Sequence, residues 1–146
     1  MKSLKILLFS FLICCATTRE ENFKVVLDLN LQNLKKHLEV QGRKAKLDIV
    51  FIKKEGELKT FSVNKKLSAN DAKVLQEKLE NLPWDQVKDR YVSKDGMLQR
   101  MPPLMISLSY KDKRKDIIII GDIPKELLFI FDILEPYLQI DSLMLR

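Results

Sequence analysis

The stretch from Leu47 to Leu82 constrains the fold most strongly, because its apolar residues change from the spacing of a β-strand to the spacing of an α-helix. β-branched, aromatic and leucine side chains dominate Leu47–Ile52 and recur through Leu58–Val63. The charged segment Lys53–Glu57 separates these two runs and contains a glycine. Two runs of this composition joined by such a break predict a β-hairpin.

The residues after this hairpin predict a helix with defined ends. Ser68 is followed three residues later by Asp71, and a hydroxyl and an acid at this spacing are typical of a helix start. The Ser68 hydroxyl can accept a hydrogen bond from the first turn, and the Asp71 carboxylate suits the positive end of the helix dipole. Pro83 ends the helix. Four apolar residues lie between these limits at helical spacing: Ala72, Leu75, Leu79 and Leu82.

A second copy of the same pattern begins at Leu104. When the sequence is aligned with itself at one constant offset, Leu47 matches Leu104 and Phe61 matches Ile118. The apolar residues of the two predicted helices match at a slightly shorter offset. The second helix begins at Asp122–Pro124, with a proline near its first position. The two offsets differ in the connection between strand and helix, where a change of length costs least. The pattern therefore predicts two successive ββα units, which either arose by duplication or share only a pattern.

The segment upstream of the first unit is ambiguous between strand and helix. Alternate residues from Phe23 to Leu31 are apolar, which favours a half-buried strand. A helix that ends near Gly42 also fits the spacing of four leucines: Leu27, Leu31, Leu34 and Leu38. We expect a strand followed by a short helix.

The chain has the size and composition of a single α+β domain. It has 146 residues, of which 46% are hydrophobic and 32% charged. Trp84 follows the first helix, and we expect it to be a buried aromatic residue that covers the sheet. The predicted architecture is an antiparallel sheet of four to five strands with two main helices packed on one face. Unit one covers about residues 45–84 and unit two about residues 103–140.

Residues 1–18 have the composition of an export signal. Lys2 and Lys5 provide a positive start, and Ile6–Ile13 is apolar apart from one serine. Small residues follow at Cys14–Ala16, and the apolar run is too short to cross a bilayer as a helix. We expect residues 19–146 to form one domain outside the cytoplasm: secreted, periplasmic or lipid-anchored to a membrane. A buried N-terminal helix is the alternative.

The two cysteines lie in this signal region and leave the mode of export open. Adjacent cysteines lack the geometry of an ordinary disulfide. Cys15 is a candidate for lipid modification as in a bacterial lipoprotein, although Cys14 stands where such signals usually carry Gly, Ala or Ser. Cleavage after Ala16 is the competing interpretation. It leaves 24 basic and 20 acidic side chains, a net charge of +4, which is too modest to indicate nucleic acid.

The sequence contains no residues with a recognisable catalytic or metal-binding spacing. His37 is the one histidine, and its lysine-rich surroundings predict a solvated helix surface. The four glycines are isolated, which excludes a glycine-rich phosphate loop. Carboxylates are numerous but dispersed. We therefore expect a protein that is not an enzyme, with no catalytic, cofactor-binding or metal-binding residues.

Both predicted hairpin tips are basic. The first tip is Lys53–Glu57, and the shift that places Leu47 on Leu104 places this tip on Tyr110–Arg114. If both tips lie at one end of the sheet, they form a positive rim suited to anionic lipid headgroups or an acidic partner. The alternative is that these charges keep exposed strand ends soluble and unpaired. The candidate contact residues are Lys53, Lys54, Lys111, Lys113, Arg114 and Lys115.

Four segments together carry a resemblance to known proteins: the hairpin before Ser68, the helix end Leu79–Trp84, the strand pair Leu104–Ile120 and the helix start Ile123–Leu127. Over about residues 45–140 the chain resembles a family of uncharacterised bacterial exported proteins, many of them lipoproteins, built from strand–strand–helix units. The glycine-rich turns typical of the first hairpin in such proteins are missing. The family has no established activity, so the resemblance implies location and fold only. The architecture also looks similar to small secreted inhibitor domains that present a sheet face to an enzyme.

These observations predict an exported, non-enzymatic domain that binds another protein or a cell-envelope surface. One alternative is a carrier of a small apolar ligand, which needs a closed cavity between sheet and helices. Another is a hydrolase, which needs two carboxylates in one pocket and a raised pKa for at least one of them. We expect no cofactor, no nucleic-acid partner, and membrane contact only through a lipid anchor. No motif indicates the partner, the oligomeric state or the biological process.

Overall fold

The computed structural model describes residues 23–53 and 56–139, which form seven strands, two α-helices and two 3-10 helices. The predicted export signal, Cys15 and Lys54 lie outside the described residues. The strands are β1 (Phe23–Leu31), β2 (Leu34–Gln41), β3 (Lys44–Ile52), β4 (Leu58–Lys66), β5 (Arg90–Val92), β6 (Leu104–Tyr110) and β7 (Lys113–Ile120). The helices are α1 (Ala69–Glu80) and α2 (Leu128–Leu138).

The strands form one sheet in the order β4-β3-β2-β1-β6-β7-β5. Neighbouring strands are antiparallel except for β5, which runs parallel to β7. The predicted α+β class is therefore confirmed. The predicted sheet of four to five antiparallel strands is wrong, because the described residues form a larger, mixed sheet that also contains β2 and β5.

Strand β2 replaces the short helix that was predicted before Gly42. Leu34 and Leu38 are four residues apart, so they share one side of a helix but also one face of a strand. Backbone pairing with both neighbours decides between these periods, since β2 is paired along its whole length with β1 and β3. Strand β5 arises in the long connection after Trp84, where three residues pair with the end of β7.

The sheet has one buried face and one open face, because side chains alternate between the two faces along each strand. Fully buried strand residues include Leu27, Leu38, Leu47, Ile49, Ile106, Leu108, Ile117 and Ile119. Helix α1 contributes Leu75 and Leu79 to the same core, and α2 contributes Ile130 and Leu134. The core is thus a layer of side chains between the sheet and the helices. No helix among the described residues covers the opposite face, which is called the open face below.

Helix α1 begins as the sequence predicts. The Ser68 Oγ accepts a hydrogen bond from the Asp71 backbone N–H at 2.9 Å, which confirms the predicted cap. Ala72 and Leu79 lie on its buried side. Trp84 is also buried, as predicted, and donates a hydrogen bond from Nε1 to the Leu79 carbonyl at 3.0 Å. This bond ties the chain beyond the helix back to its last turn.

Polar contacts join the C-terminal end of α2 to α1 and to the sheet. The Tyr137 hydroxyl donates to Asp71 Oδ2 at 2.7 Å and accepts from the Ser68 backbone N–H at 3.1 Å. Lys36 on β2 donates from Nζ to the Leu138 carbonyl at 2.9 Å. A lysine at this position suits the negative end of the helix dipole. The end of α2 is therefore fixed against the start of α1.

The two basic hairpin tips lie at opposite ends of the sheet. Strands β1 and β3 run in the same direction, because each is antiparallel to β2, whereas β6 runs opposite to β1. The first tip follows the end of β3, and the turn at Lys111–Asp112 follows β6. The prediction that both tips form one positive rim is therefore wrong.

The strand order accounts for this separation of the tips. Strands β2, β3 and β4 with α1 form one half of the fold, and β1, β6 and β7 with α2 form the other. A rotation of 180° about an axis perpendicular to the sheet, between β1 and β2, places each strand of one half on a strand of the other half that runs in the same direction. Such a rotation leaves both helices on one face but exchanges the two ends of the sheet.

Candidate functional site

The open face carries a line of basic residues across six adjacent strands. Direct cross-strand partners connect the line from β4 to β7. Adjacent strands are about 4.8 Å apart, so the line is roughly 24 Å long. Four cations and the two polar residues between them make up this line, which is called the basic row: Lys66, Lys44, Gln41, Lys24, Ser109 and Arg114.

Alternation along the strands places the cations of the basic row on the open face. Ala45 points into the core, so the adjacent Lys44 faces outwards and is exposed. Val25 is buried in β1 in the same way and leaves Lys24 on the open face. The row lies near the end of the sheet where β3 begins and β4 ends, which also exposes Lys66. The positions of these cations therefore follow from the burial of their neighbours.

Acidic neighbours hold two of the four cations. Lys24 Nζ lies 2.8 Å from Glu39 Oε1, and Arg114 Nη2 lies 3.3 Å from Asp116 Oδ2. All four side chains are substantially exposed to solvent, and pairs of this kind contribute little to stability. These two cations therefore remain able to exchange their partners for an external anion.

Lys44 and Lys66 face each other directly on β3 and β4. Within residues 23–53 and 56–139, neither side chain has a hydrogen bond or an ion pair. Like charges at directly opposed positions destabilise an antiparallel pair of strands. An external anion would therefore neutralise the most unpaired positive charge of the basic row at this pair of lysines.

Two shallow grooves lie along the basic row. The larger, about 380 Å³, lies between β2, β3 and β4 and is lined by Glu39, Gln41, Lys44, Ala45, Lys46, Asn64 and Lys65. The smaller, about 160 Å³, is lined by Lys24, Val26, Ser107, Ser109 and Arg114. Ammonium, guanidinium, amide and hydroxyl groups in these grooves are hydrogen-bond donors for anionic oxygens. The basic row thus has both the charge and the shape of an anion-binding surface.

A second line of polar side chains crosses the open face through Asp28, His37, Asp48 and Ser62. His37 Nδ1 lies 2.5 Å from Asp28 Oδ1, and the Ser62 hydroxyl donates to Asp48. Lys46 Nζ lies 2.9 Å from Asp48 Oδ2. The hydrogen bond from Ser62, followed by that from Lys46, lowers the pKa of Asp48 below its ordinary value. The Asp48 carboxylate is therefore ionised at neutral pH.

The position of His37 corrects the sequence prediction. This residue lies on β2 and not on a helix. The lowered pKa of Asp48 is also opposite to what a carboxylate acting as general acid requires, since such an acid has a raised pKa. In the described part of the chain, no group of three or more His, Cys, Asp or Glu side chains is arranged to hold a metal ion.

The lysines predicted to contact an anionic surface are mostly held by nearby acids. Three ion pairs show this: Lys53–Glu57 at 3.0 Å, Lys111–Glu80 at 3.2 Å and Lys115–Asp89 at 2.9 Å. Lys113 is exposed at the start of β7. Among the predicted contact residues that the structure describes, Arg114 alone belongs to the basic row. The predicted contact residues therefore do not form one surface, and Arg114 lies instead in the basic row with Lys24, Lys44 and Lys66.

Sequence reasoning missed Lys24, Lys44 and Lys66. The sequence feature that could have identified them is the alternation of apolar and polar residues along a strand. Each of these lysines is adjacent in the chain to a buried residue of its strand or strand end. Alternation assigns a face but not a register between strands, and a slip of one residue would move a lysine to the other face. The alignment of these three lysines therefore becomes visible only once the strand pairing is known.

The corner of the open face near β5 is apolar. Met105 and Ile118 are direct cross-strand partners and are 41% and 40% exposed. Val92 on the edge strand β5 is 48% exposed. The open face therefore combines a basic margin with an apolar corner.

Comparison with known proteins gives no assignment. No protein-family model matches the chain, and a search of curated proteins gives no match. The resemblance to bacterial exported proteins therefore stays a prediction, and inference about function rests on the side-chain arrangement of the open face. Neither α1 nor α2 has the length and apolar character needed to cross a membrane.

Proposed function

We propose that this protein is an exported, non-enzymatic binding domain that attaches to an anionic surface of the cell envelope through the basic row. The observation that carries the proposal is the alignment of four cations from four strands on the open face. Two of them, Lys44 and Lys66, face each other without an acidic partner among the described residues. A line of cations of this kind attracts a surface with distributed negative charge.

The surface that fits the basic row best is a membrane leaflet that contains anionic lipids. Three of the four cations are lysines, which act as point charges, whereas pairing with protein carboxylates favours the two-pronged geometry of arginine. A row of roughly 24 Å can contact several headgroups, and each cation contributes about 1 kcal/mol near an anionic leaflet. This contact is additional to the lipid anchor that the sequence predicts as one alternative.

The aromatic residues make a nucleic-acid partner a poorer fit. Every aromatic side chain in the described residues packs within or against the hydrophobic core. Recognition of unpaired bases depends on aromatic platforms in a basic groove, and the open face offers none of these described aromatics. The proposal therefore assigns the basic row to lipid headgroups.

The packing between sheet and helices favours surface binding over an internal ligand. Leu67, Leu75 and Leu127 are fully buried in this layer together with the core residues of the strands. An apolar-ligand carrier needs a cavity in this layer, whereas the grooves that carry the described cations lie on the open face. The open face is therefore the better candidate for binding.

Export is supported by residues 1–18, which carry the sequence signature of a signal. Two mature forms are compatible with the proposal: a chain that starts at Thr17, and a chain that starts at a lipid-modified Cys15. The mass of the N-terminal peptide of protein isolated from its native envelope distinguishes these forms. An intact N-terminal Met1 on the envelope-associated protein would contradict export by cleavage.

Binding to vesicles tests the proposed function. The basic-row variant replaces all four cations with glutamine: Lys24→Gln, Lys44→Gln, Lys66→Gln and Arg114→Gln. Wild-type protein is expected to co-sediment with vesicles of phosphatidylglycerol and phosphatidylcholine but not with phosphatidylcholine alone. Each lost cation is expected to weaken binding about fivefold. Binding should also weaken as salt is added, because salt screens exposed charges.

A matched control removes the same charge from exposed lysines outside the basic row. Its substitutions are Lys73→Gln, Lys78→Gln, Lys94→Gln and Lys125→Gln. The control is expected to bind these vesicles within a few-fold of wild type, since only long-range attraction is reduced. Equal losses in the basic-row variant and the control would show that net charge, and not the basic row, drives binding.

A further inference from the structure

Lys44 lines the larger groove of about 380 Å³, and Lys66 lies directly opposite Lys44 on β4, next in the chain to Lys65 of the groove lining. Two other lysines that line this groove are engaged elsewhere: Lys46 pairs with Asp48 at 2.9 Å, and Lys65 donates to the Gln139 carbonyl at 2.6 Å. The acid that lines the groove, Glu39, is held by Lys24. Lys44 is therefore the cation lining this groove that has no partner within the described residues, and Lys66, its neighbour on β4, has none there either.

Two side-chain amides at this groove are also without hydrogen-bond partners in the described part of the chain. Gln41 lies directly opposite Lys44, and Asn64 is two residues before Lys66 on the same face of β4. Each amide offers two N–H donors, and each lysine offers three. Donors from three strands thus surround one groove.

We propose that this groove is a subsite for a phosphate group, bound by Lys44 and Lys66 with the amides of Gln41 and Asn64. A phosphate group has several strongly accepting oxygens, and its charge offsets the repulsion between the two facing lysines. The inference rests on the proposed function, because the phosphate source to which it commits is the headgroup of an anionic envelope lipid. The groove would then bind one phosphate group specifically, whereas the rest of the basic row attracts the membrane through its distributed charge.

Titration with inorganic phosphate, observed by ¹⁵N NMR at constant ionic strength, tests the subsite. The side-chain NH₂ signals of Gln41 and Asn64 are expected to shift and saturate, whereas chloride at the same ionic strength leaves them in place. Lys44→Gln/Lys66→Gln is expected to weaken this binding at least tenfold. Lys35→Gln removes a charge from the same face about 20 Å away along the strands and is expected to leave the titration unchanged. Shifts that do not saturate, or that persist in the double variant, would overturn the subsite.

Vesicles separate failure of the subsite from failure of the proposed function. The headgroup assignment predicts that phosphatidylglycerol vesicles broaden the Gln41 and Asn64 signals and that added inorganic phosphate competes for this site. If phosphate titrates the site but vesicles leave the two signals unchanged, the ligand is a free phosphate and the headgroup assignment is wrong. If vesicles bind through the basic row but phosphate never perturbs Gln41 or Asn64, the subsite is wrong and the proposed function stands.

Discussion

The Tyr137 hydroxyl donates a hydrogen bond of 2.7 Å to Asp71 Oδ2 and so joins the last turn of α2 to the first turn of α1. The same hydroxyl accepts a hydrogen bond from the Ser68 backbone N–H. One phenol thus completes the cap of one helix and fixes the end of the other. This contact therefore links the two helices in addition to their shared core.

Removal of this hydroxyl is expected to destabilise the fold. Tyr137→Phe keeps the ring but leaves the Asp71 carboxylate and the Ser68 N–H without their partner. We expect the free energy of unfolding to fall by about 1 kcal/mol, since the site is partly exposed and water replaces part of the loss. Urea unfolding of Tyr137→Phe, Asp71→Asn and the double variant measures the coupling between the two side chains. Additive effects would show that the hydrogen bond does not contribute.

The same contact predicts a dependence of stability on pH. Hydrogen bonding to Tyr137, and then to Ser68, lowers the pKa of Asp71 below its ordinary value of 3.8. Its contribution is therefore fully present above that pH and is lost as the pH falls through the lower pKa of the folded state. Wild type should lose more stability on acidification than Tyr137→Phe. Parallel curves of unfolding free energy against pH for the two proteins would contradict this assignment.

Gly121 is expected to tolerate no side chain. It has a φ of 97°, and a Cβ at this position would lie 2.5 Å from the Ser93 Cβ and 3.1 Å from the Leu98 Cβ. Gly121→Ala should lower the free energy of unfolding by about 2 kcal/mol. Gly96→Ala is the matched control, because a Cβ there meets nothing within 4 Å. Similar melting temperatures for both variants would show that Ser93 and Leu98 do not pack closely against Gly121.

Lys66→Glu is expected to raise stability and weaken membrane binding. The new carboxylate would lie directly opposite Lys44 and replace repulsion by attraction, which stabilises by about 0.5 kcal/mol. The change removes two charge units from the basic row and should weaken binding to anionic vesicles roughly 25-fold. Lys35→Glu is the control, because no lysine lies opposite Lys35. An increase in stability of the same size in both variants would argue against repulsion between Lys44 and Lys66.

The hairpin-and-helix pattern made part of this fold predictable from local sequence. The cap at Ser68, the buried side of α1 and the buried Trp84 are set by nearby residues, and all three predictions are confirmed. Strand β2 was missed because a spacing of four residues between Leu34 and Leu38 fits both a helix and one face of a strand. Only pairing with β1 and β3 distinguishes the two.

The comparison of the two hairpins illustrates why register was not predictable. The constant shift that places Leu47 on Leu104 also matches Phe61, which packs against the core, with Ile118, which is 40% exposed on the open face. The first hairpin has a longer loop than the two-residue turn between β6 and β7, so a constant shift crosses from one face to the other. The basic row is visible only when the register between strands is known. Without that register, sequence reasoning could identify only the cations that are close together in the chain, which are those at the hairpin tips.

Lysine reactivity on vesicles tests the central claim most directly. Acetylation with a water-soluble reagent, read by mass spectrometry, compares each lysine in the free and the vesicle-bound protein. We predict that phosphatidylglycerol vesicles protect Lys24, Lys44 and Lys66, while Lys73 and Lys78 on α1 keep their reactivity. Protection of the α1 lysines with unchanged reactivity of Lys24, Lys44 and Lys66 would contradict attachment through the basic row.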